Sequence, residues 1–321
     1  MTLHQTNNLS QRTSGGRPAI RVANAPCSFG VMAGFEPDPP LTYLEVLDQV
    51  AASGYAGTEL GDWGFMPGDP AILKPALDQR GLAMTGAFTP LELTDPANLD
   101  AAISAALRTA RLLAACATPQ SAPGPYVIVA ADAALHPLRR RVAGRVKEAH
   151  GLSEAETRAM GAAINRIAAA VLSETGVATV FHPHCGTPVE TAIETSRLML
   201  LTDPGIVGLC FDTGHVAYAG DALDEWLTLF AARTRLVHFK DMDPVVANRA
   251  RGNAWDEDTA VRNGLFCPLG EGAVDFRSTL HVLIGAGYEG WIVVEDEIPP
   301  GREPPLAAAI RDRAFLQGLG L

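Results

Sequence analysis

The stretch VATVFHPHCGTPVETAIETSRLMLLTDPGIVGLCFDTGH (177–215) opens on an apolar run, VATVFHPH (177–184), and closes on a second, VGLCFDT (207–213). Between them residues 189–201 carry a helical pattern. Runs that are apolar throughout belong to strands covered on both faces, as in a parallel sheet, and parallel neighbours need a crossover helix between them. Both runs also end on chemistry: His182 and His184 close the first, and Asp212 the second, with His215 just beyond it.

The same unit recurs in both directions. Further apolar runs are IRVANAP (20–26), YAGTELG (55–61), LAMTGAF (82–88), YVIVAA (126–131), LVHFK (236–240) and WIVVEDE (291–297). Helical patterns lie between them. Leu44, Val46, Leu47 and Val50 share a face ahead of Gly54. Asp95-Pro96 opens a helix carrying Leu99, Ile103, Leu107, Leu112 and Leu113. Ser153 followed by Glu156 is a capping box ahead of Met160, Ile164, Ile167 and Val171, with Gly176 as the stop. Similar patterns cover 222–232, 276–286 and 304–318, and the pairs Gly54-Tyr55, Gly81-Leu82 and Gly287-Tyr288 turn the chain back into strands. Eight βα units in a chain of 321 residues predict an α/β fold, a single (β/α)8 TIM barrel. An open doubly wound sheet is the rival, but no G-x-G-x-x-G follows any strand. The division expected is a disordered N-terminal tail over 1–18 and one barrel domain over 19–321. Residues 132–152 and 242–275 read as long irregular connections on the face where such barrels build their sites.

Composition narrows the function. A net charge of −11 argues against nucleic acid, and no run of 18 apolar residues exists to span a membrane. The basic run from Arg139 to Lys147 reads as a solvated face. The polar start, without an apolar signal core, and five cysteines with no paired spacing (27, 116, 185, 210 and 267) predict a cytoplasmic protein with reduced thiols.

Metal-capable residues gather at the carboxyl ends of the later strands: His182-Pro183-His184, Asp212-Thr213-Gly214-His215, His238-Phe239-Lys240-Asp241 and Glu295-Asp296-Glu297. In a barrel these ends converge on one pocket. Two imidazoles and two carboxylates there suit Mn, Co, Fe or Zn. Each element has a plainer reading. A single strand-end histidine is commonly structural, and an Asp before Thr-Gly can simply cap the next helix. Four such events on consecutive strands favour the metal site.

The set CSFGV (27–31), GTELG (57–61), HPHCGTPVET (182–191), CFDTGH (210–215), HFKD (238–241), PLGEGAVDF (268–276) and WIVVEDE (291–297) resembles the xylose-isomerase-like TIM-barrel superfamily of sugar isomerases and epimerases. Within it the chain is most similar to the inosose dehydratase group, from about residue 20 to 320. The resemblance implies a divalent metal, manganese first, with one ligand from each of strands five to eight: His182, Asp212, His238 and Glu295. Many isomerases and epimerases of the superfamily have a metal-binding glutamate on strand five where this chain has His182. His184, on the same face of an alternating strand, is the other candidate for that ligand. Losing that glutamate removes one acid/base carboxylate of the epimerase mechanism and tilts the reading towards elimination. The superfamily's DNA-repair endonucleases need further histidines on strands three and four and after strand seven, and these are absent here.

Glu59, Lys240 and Glu295 are the expected catalytic residues. His184, His215, Trp63 and Glu271 are the expected substrate contacts, with Phe29 and Phe65 offering apolar surface. The alternatives are a Glu59 carboxylate bonded to backbone amides near Gly57 and Gly61, a Lys240 salt bridge to Asp241 or Asp212, and aromatics that serve the core. The expected reaction is metal-assisted dehydration of an inosose-like cyclic polyhydroxy ketone through an enediolate. A keto-sugar isomerase or 3-epimerase is the alternative, and a non-catalytic sugar-binding barrel the remaining one. The expected partner is a small keto-polyol or sugar; assembly into a homo-oligomer is compatible with this reading and not required by it.

Overall fold

The computed structural model describes residues 20–32, 40–297, 299 and 301–321, so the tail expected over 1–18, and residue 19, lie outside the described residues. Eight parallel strands close a barrel: β1 (Ile20–Asn24), β2 (Gly57–Glu59), β3 (Ala83–Leu91), β4 (Tyr126–Ala131), β5 (Ala178–Phe181), β6 (Val207–Asp212), β7 (Thr234–Phe239) and β8 (Gly290–Val294). Their order is β1-β8-β7-β6-β5-β4-β3-β2, and β1 pairs with both β8 and β2 to complete the ring. The eight-stranded α/β barrel expected from the apolar runs is the fold observed.

Alternation along the strands sorts the core into two layers. Ala23, Tyr126, Ile128, Val180, Cys210, Leu236, Trp291 and Val293 form one buried cluster. They come from six strands and share a face, so they fill the barrel interior. The intervening residues, such as Val127, Val129, Phe181, Phe211, Val237, Phe239, Ile292 and Val294, belong to the larger cluster packed beneath the helices. This double coverage is why the strand sequences are apolar in succession. It also fixes the site: two residues beyond 180, 210, 236 and 293 along the inner face come 182, 212, 238 and 295.

The surrounding helices are α1 (Tyr43–Ala52), α2 (Pro70–Asp78), α3 (Leu99–Cys116), α4 (Pro137–Val142), α5 (Glu154–Thr175), α6 (Ala192–Met199), α7 (Thr213–Ala219), α8 (Leu223–Phe230), α9 (Pro244–Gly252), α10 (Glu257–Arg262), α11 (Phe276–Gly285) and α12 (Pro305–Leu319). The Ser153–Glu156 capping box opens α5, and Gly176 ends it in the left-handed conformation. No helix among the described residues is long and apolar enough to cross a membrane, and all five cysteines are unpaired.

Two expectations change. The connections read as irregular hold regular structure: α4 falls in 132–152, α9 and α10 fall in 242–275, and a short antiparallel ribbon (Asp241–Met242 with Phe266–Cys267) closes across the latter. These elements are short, so they carry little periodicity. The basic run is not a uniformly solvated face either. Arg139 is buried and holds Glu194 with two hydrogen bonds of 2.7 and 2.9 Å, while Arg145 donates to the carbonyls of Ala250 and Trp255.

Candidate metal centre and substrate cavity

His182, Asp212, His238 and Glu295 meet at the carboxyl end of the barrel, each offering one ligand atom within 4.8 Å of the others. Asp212 Oδ2 lies 3.7 Å from His182 Nε2 and 3.7 Å from His238 Nδ1, and His238 Nδ1 lies 3.3 Å from Glu295 Oε1. Atoms that share a metal through bonds of about 2.0–2.2 Å stand about 3–4.4 Å apart, so the spacing suits one ion.

Hydrogen bonding fixes which nitrogens are free. His182 Nδ1 sits 2.8 Å from the carbonyl of Pro183, which can only accept, so the proton is on Nδ1 and the Nε2 lone pair faces Asp212. His238 Nε2 sits 3.0 Å from Glu59 Oε1, which leaves the Nδ1 lone pair for the centre. Asp212 Oδ2 and His238 Nδ1 are buried with no hydrogen-bond partner. Buried polar atoms without partners are costly, and a cation between them removes the cost. The donor set therefore fits a divalent metal.

Asp212 has one oxygen for each reading. Its Oδ1 accepts from the His215 backbone amide at 2.9 Å and caps α7, while Oδ2 faces the centre. Burial alone pushes this carboxyl upward, but the nearby His215 and the Lys240 ammonium hold it well below the usual carboxylate range. Cys210 stands close enough to His182 and His238 to complete a ligand trio, yet burial pushes its thiol up to about 12, as befits a protonated packing group.

Lys240 lies in the same shell. Its ammonium is 2.9 Å from Glu295 Oε2 and 2.6 Å from Glu297 Oε1, with Asp212 Oδ2 at 3.9 Å. Burial pulls its pKa down, but Glu295, Glu297 and Asp212 more than offset that, so it stays charged. Its stem passes so close to Gly214 that a Cβ there would come within 2.6 Å of Lys240 Cγ; only glycine fits. Asp241 is not its partner. That carboxylate accepts the amides of Gly270, Gly272 and Val274 and fastens the loop after the ribbon.

A cavity of about 140 Å³ opens over this centre, lined by Glu59, His182, His184, Glu295 and Glu297 among its polar groups. That is about ten times the ~10–15 Å³ one water needs, which suits a small molecule. His184 lines the wall but stands outside the four-atom cluster: its Nδ1 is 2.8 Å from the Cys185 carbonyl and 3.4 Å from Glu257. Burial, with His182 and Lys240 nearby, pushes it down to about 3, so it is a neutral imidazole. His182 is thus the better placed strand-five ligand. Glu59 bonds His238, not the backbone amides near Gly57 and Gly61.

Three expected substrate contacts do not line this cavity. Trp63 is 42% exposed and stacks under the Arg108 guanidinium, with 4.3 Å between them. Glu271 lines a separate cleft with Asp243, Cys267 and Arg302, because Asp241 draws its loop away. His215 is buried behind His184, ring centroids 3.8 Å apart, and meets Lys240 Nζ at 3.3 Å. Of the expected apolar aromatics, Phe29 is core and Phe65 packs against it. Conversely, Cys27, Met32, Phe88 and Glu297 line the cavity and carry no assigned role in the sequence reading. Inner-face alternation from 86 was the signal for Phe88, whereas Cys27 lies in the helical turn Pro26–Phe29 and Glu297 beyond β8, where that alternation no longer runs. Met32 had none, and neither did Glu257, which reaches His184 from α10.

The family described as xylose isomerase-like TIM barrel matches residues 47–319. An inosose dehydratase from Geobacillus kaustophilus (strain HTA426) is 33% identical over 278 residues, spanning 87% of each chain. A solved structure of IOLI protein with a bound zinc atom superposes with a TM-score of 0.68 at 14% identity, covering 93% of this chain and 97% of that one. A D-allulose 3-epimerase from Methylomonas sp. in complex with D-allulose gives 0.67 at 16% identity, over 94% and 97%.

Proposed function

Because this chain belongs to the xylose isomerase-like TIM barrel family, we propose that it is a metal-dependent hydro-lyase that dehydrates an inosose-like cyclic keto-polyol. It is an enzyme of the lyase or isomerase/epimerase type. The observation that carries the metal-dependent reading is the pair of buried, partnerless atoms, Asp212 Oδ2 and His238 Nδ1, facing His182 and Glu295. The substrate class is drawn from the inosose dehydratase relatives.

His182, Asp212, His238 and Glu295 would hold the metal, with manganese our first assignment. A divalent ion there supplies Lewis acidity, drawing electrons from a ketone carbonyl and acidifying the neighbouring C–H. Glu59 lines the cavity, makes no ion pair with Lys240 and reaches the centre itself, where it holds the His238 tautomer, so it is assigned the proton adjacent to the carbonyl. The Lys240 ammonium stabilises the negative charge that develops on the substrate oxygen. Expulsion of the β-hydroxyl then completes the elimination. Glu297 lines the cavity and accepts a hydrogen bond from the Lys240 ammonium at 2.6 Å, so this pair is assigned the proton that lets the departing oxygen leave as water.

The test is incubation of the manganese-loaded enzyme with 2-keto-myo-inositol. The expected result is an absorbing conjugated enol-dione, lost on chelation and restored by manganese or cobalt. A stereoisomeric ketose formed from D-fructose, D-tagatose or D-psicose, with no turnover of the inosose, assigns the 3-epimerase reaction instead. Full activity after exhaustive chelation rejects the mechanism.

A further inference from the structure

The cavity over the metal centre has two chemically different halves, and they sort by strand. The ends of β5 and β8 supply His182, His184, Glu295 and Glu297, with Asp212, His238 and Lys240 buried against them. β1 with its following turn, and β3, supply Ala25, Pro26, Val31, Met32 and Phe88. β4 adds no polar side chain: Ala130 and Ala131 close it, both buried. β2 departs from this sorting: Glu59 reaches to His238, and Asp62 just beyond the strand also lines the cavity.

Phe88 is the largest group of the apolar half. Residues 86 and 88 share the inner face of β3, and Gly86 leaves that face bare below, where a Cβ would meet Ile128 Cδ1 at 2.9 Å. The Phe88 ring is therefore the first side chain of β3 at the cavity floor. It stands edge-on to His182, with centroids 6.0 Å apart, and 5.9 Å from His184. Its neighbours on the strand are buried, whereas Phe88 itself is only partly covered.

We propose that Phe88 selects substrate shape: its free face is the platform for the C–H face of a six-membered ring whose oxygens meet the polar half. This rests on the keto-polyol reading above. A rigid ring presents its C–H groups as one surface and buries them without ordering any rotor. An open-chain ketone chelated through its first carbons must freeze its tail to cover the same surface. The platform therefore favours cyclic over open-chain ketones of equal polarity.

The experiment measures binding as well as turnover. Dissociation constants for 2-keto-myo-inositol and for open-chain L-erythrulose are determined calorimetrically on manganese-loaded wild type, Phe88→Ala and Phe88→Tyr, with metal content and melting temperature checked on each sample. The wild type should bind the ring more tightly. Phe88→Ala should weaken the ring by about tenfold or more (~1.4 kcal/mol), and erythrulose by less than about threefold, and Phe88→Tyr should restore ring binding. Equal weakening of both ligands, no weakening in Phe88→Ala, or no ring preference in the wild type overturns the proposal. If the ring binds through Phe88 but is never dehydrated, the platform stands and the proposed reaction falls.

Discussion

At Asp212 the two oxygens of one carboxylate face different partners, and substitution can separate them. Oδ1 caps α7 and Oδ2 faces the metal centre. Asp212→Asn keeps an accepting oxygen for the cap and removes the charge, whereas Asp212→Ala removes both. Both variants should lose stoichiometric metal by elemental analysis. In chelated samples only Asp212→Ala should lose cap stability, about 1 kcal/mol by denaturant titration; equal stability of the two would show that the cap contributes nothing. Glu59 poses a similar question, because it orients His238 and lines the cavity. Glu59→Gln should weaken metal affinity by about 10- to 100-fold, as loss of a carboxylate behind a ligating histidine does. At saturating metal its kcat should remain down by about 100-fold or more, as for a lost general base. Recovery of kcat at high metal would leave Glu59 an orienting role alone.

At the scale of elements, sequence and structure part where elements are short. The strands were legible because burial on both faces writes an unbroken apolar run, and the long α5 because its capping box and Gly176 stop are local. The convergence of His182, Asp212, His238 and Glu295 was legible because each continues an inner-face series. What stayed hidden depends on distant partners: α10 shows nothing locally of Glu257 approaching His184, and the run around Arg139 reads as solvated charge until Glu194 is beside it. That pair joins α4 to α6 in two connections next to the site, with Arg139 only 4% exposed. Removing one partner of a buried pair strands the other charge, so Arg139→Ala should cost about 3–5 kcal/mol in chemical denaturation. Arg139→Lys should recover little, since an ammonium cannot make the two parallel bonds of the guanidinium. A loss below about 1 kcal/mol, the worth of an exposed pair, would remove this clamp from the account of the fold.

Across the whole molecule, the strand arrangement concentrates charge on one half of the barrel mouth. Asp212, Glu295 and Glu297 crowd around Lys240, and Glu59 reaches in from β2, so four carboxylates face one ammonium. Without a metal, Asp212 Oδ2 and His238 Nδ1 stay desolvated and unpaired at the point where four strands converge. A bound divalent ion relieves both deficits in the native state, and the unfolded chain has no preformed site for it. Metal binding must then appear as stability of the entire barrel. At a free metal concentration 100 times the dissociation constant, the linkage contributes about 2.7 kcal/mol, which for a chain of this size raises the melting temperature by on the order of 5 °C. Calorimetric scans of the wild type should show that rise with manganese and its loss with chelator. Asp212→Asn, which retains the helix cap but lacks the central ligand, should melt at one temperature with or without metal. A manganese-dependent shift of equal size in that variant would place the stabilising ion elsewhere on the protein and detach this quartet from the metal.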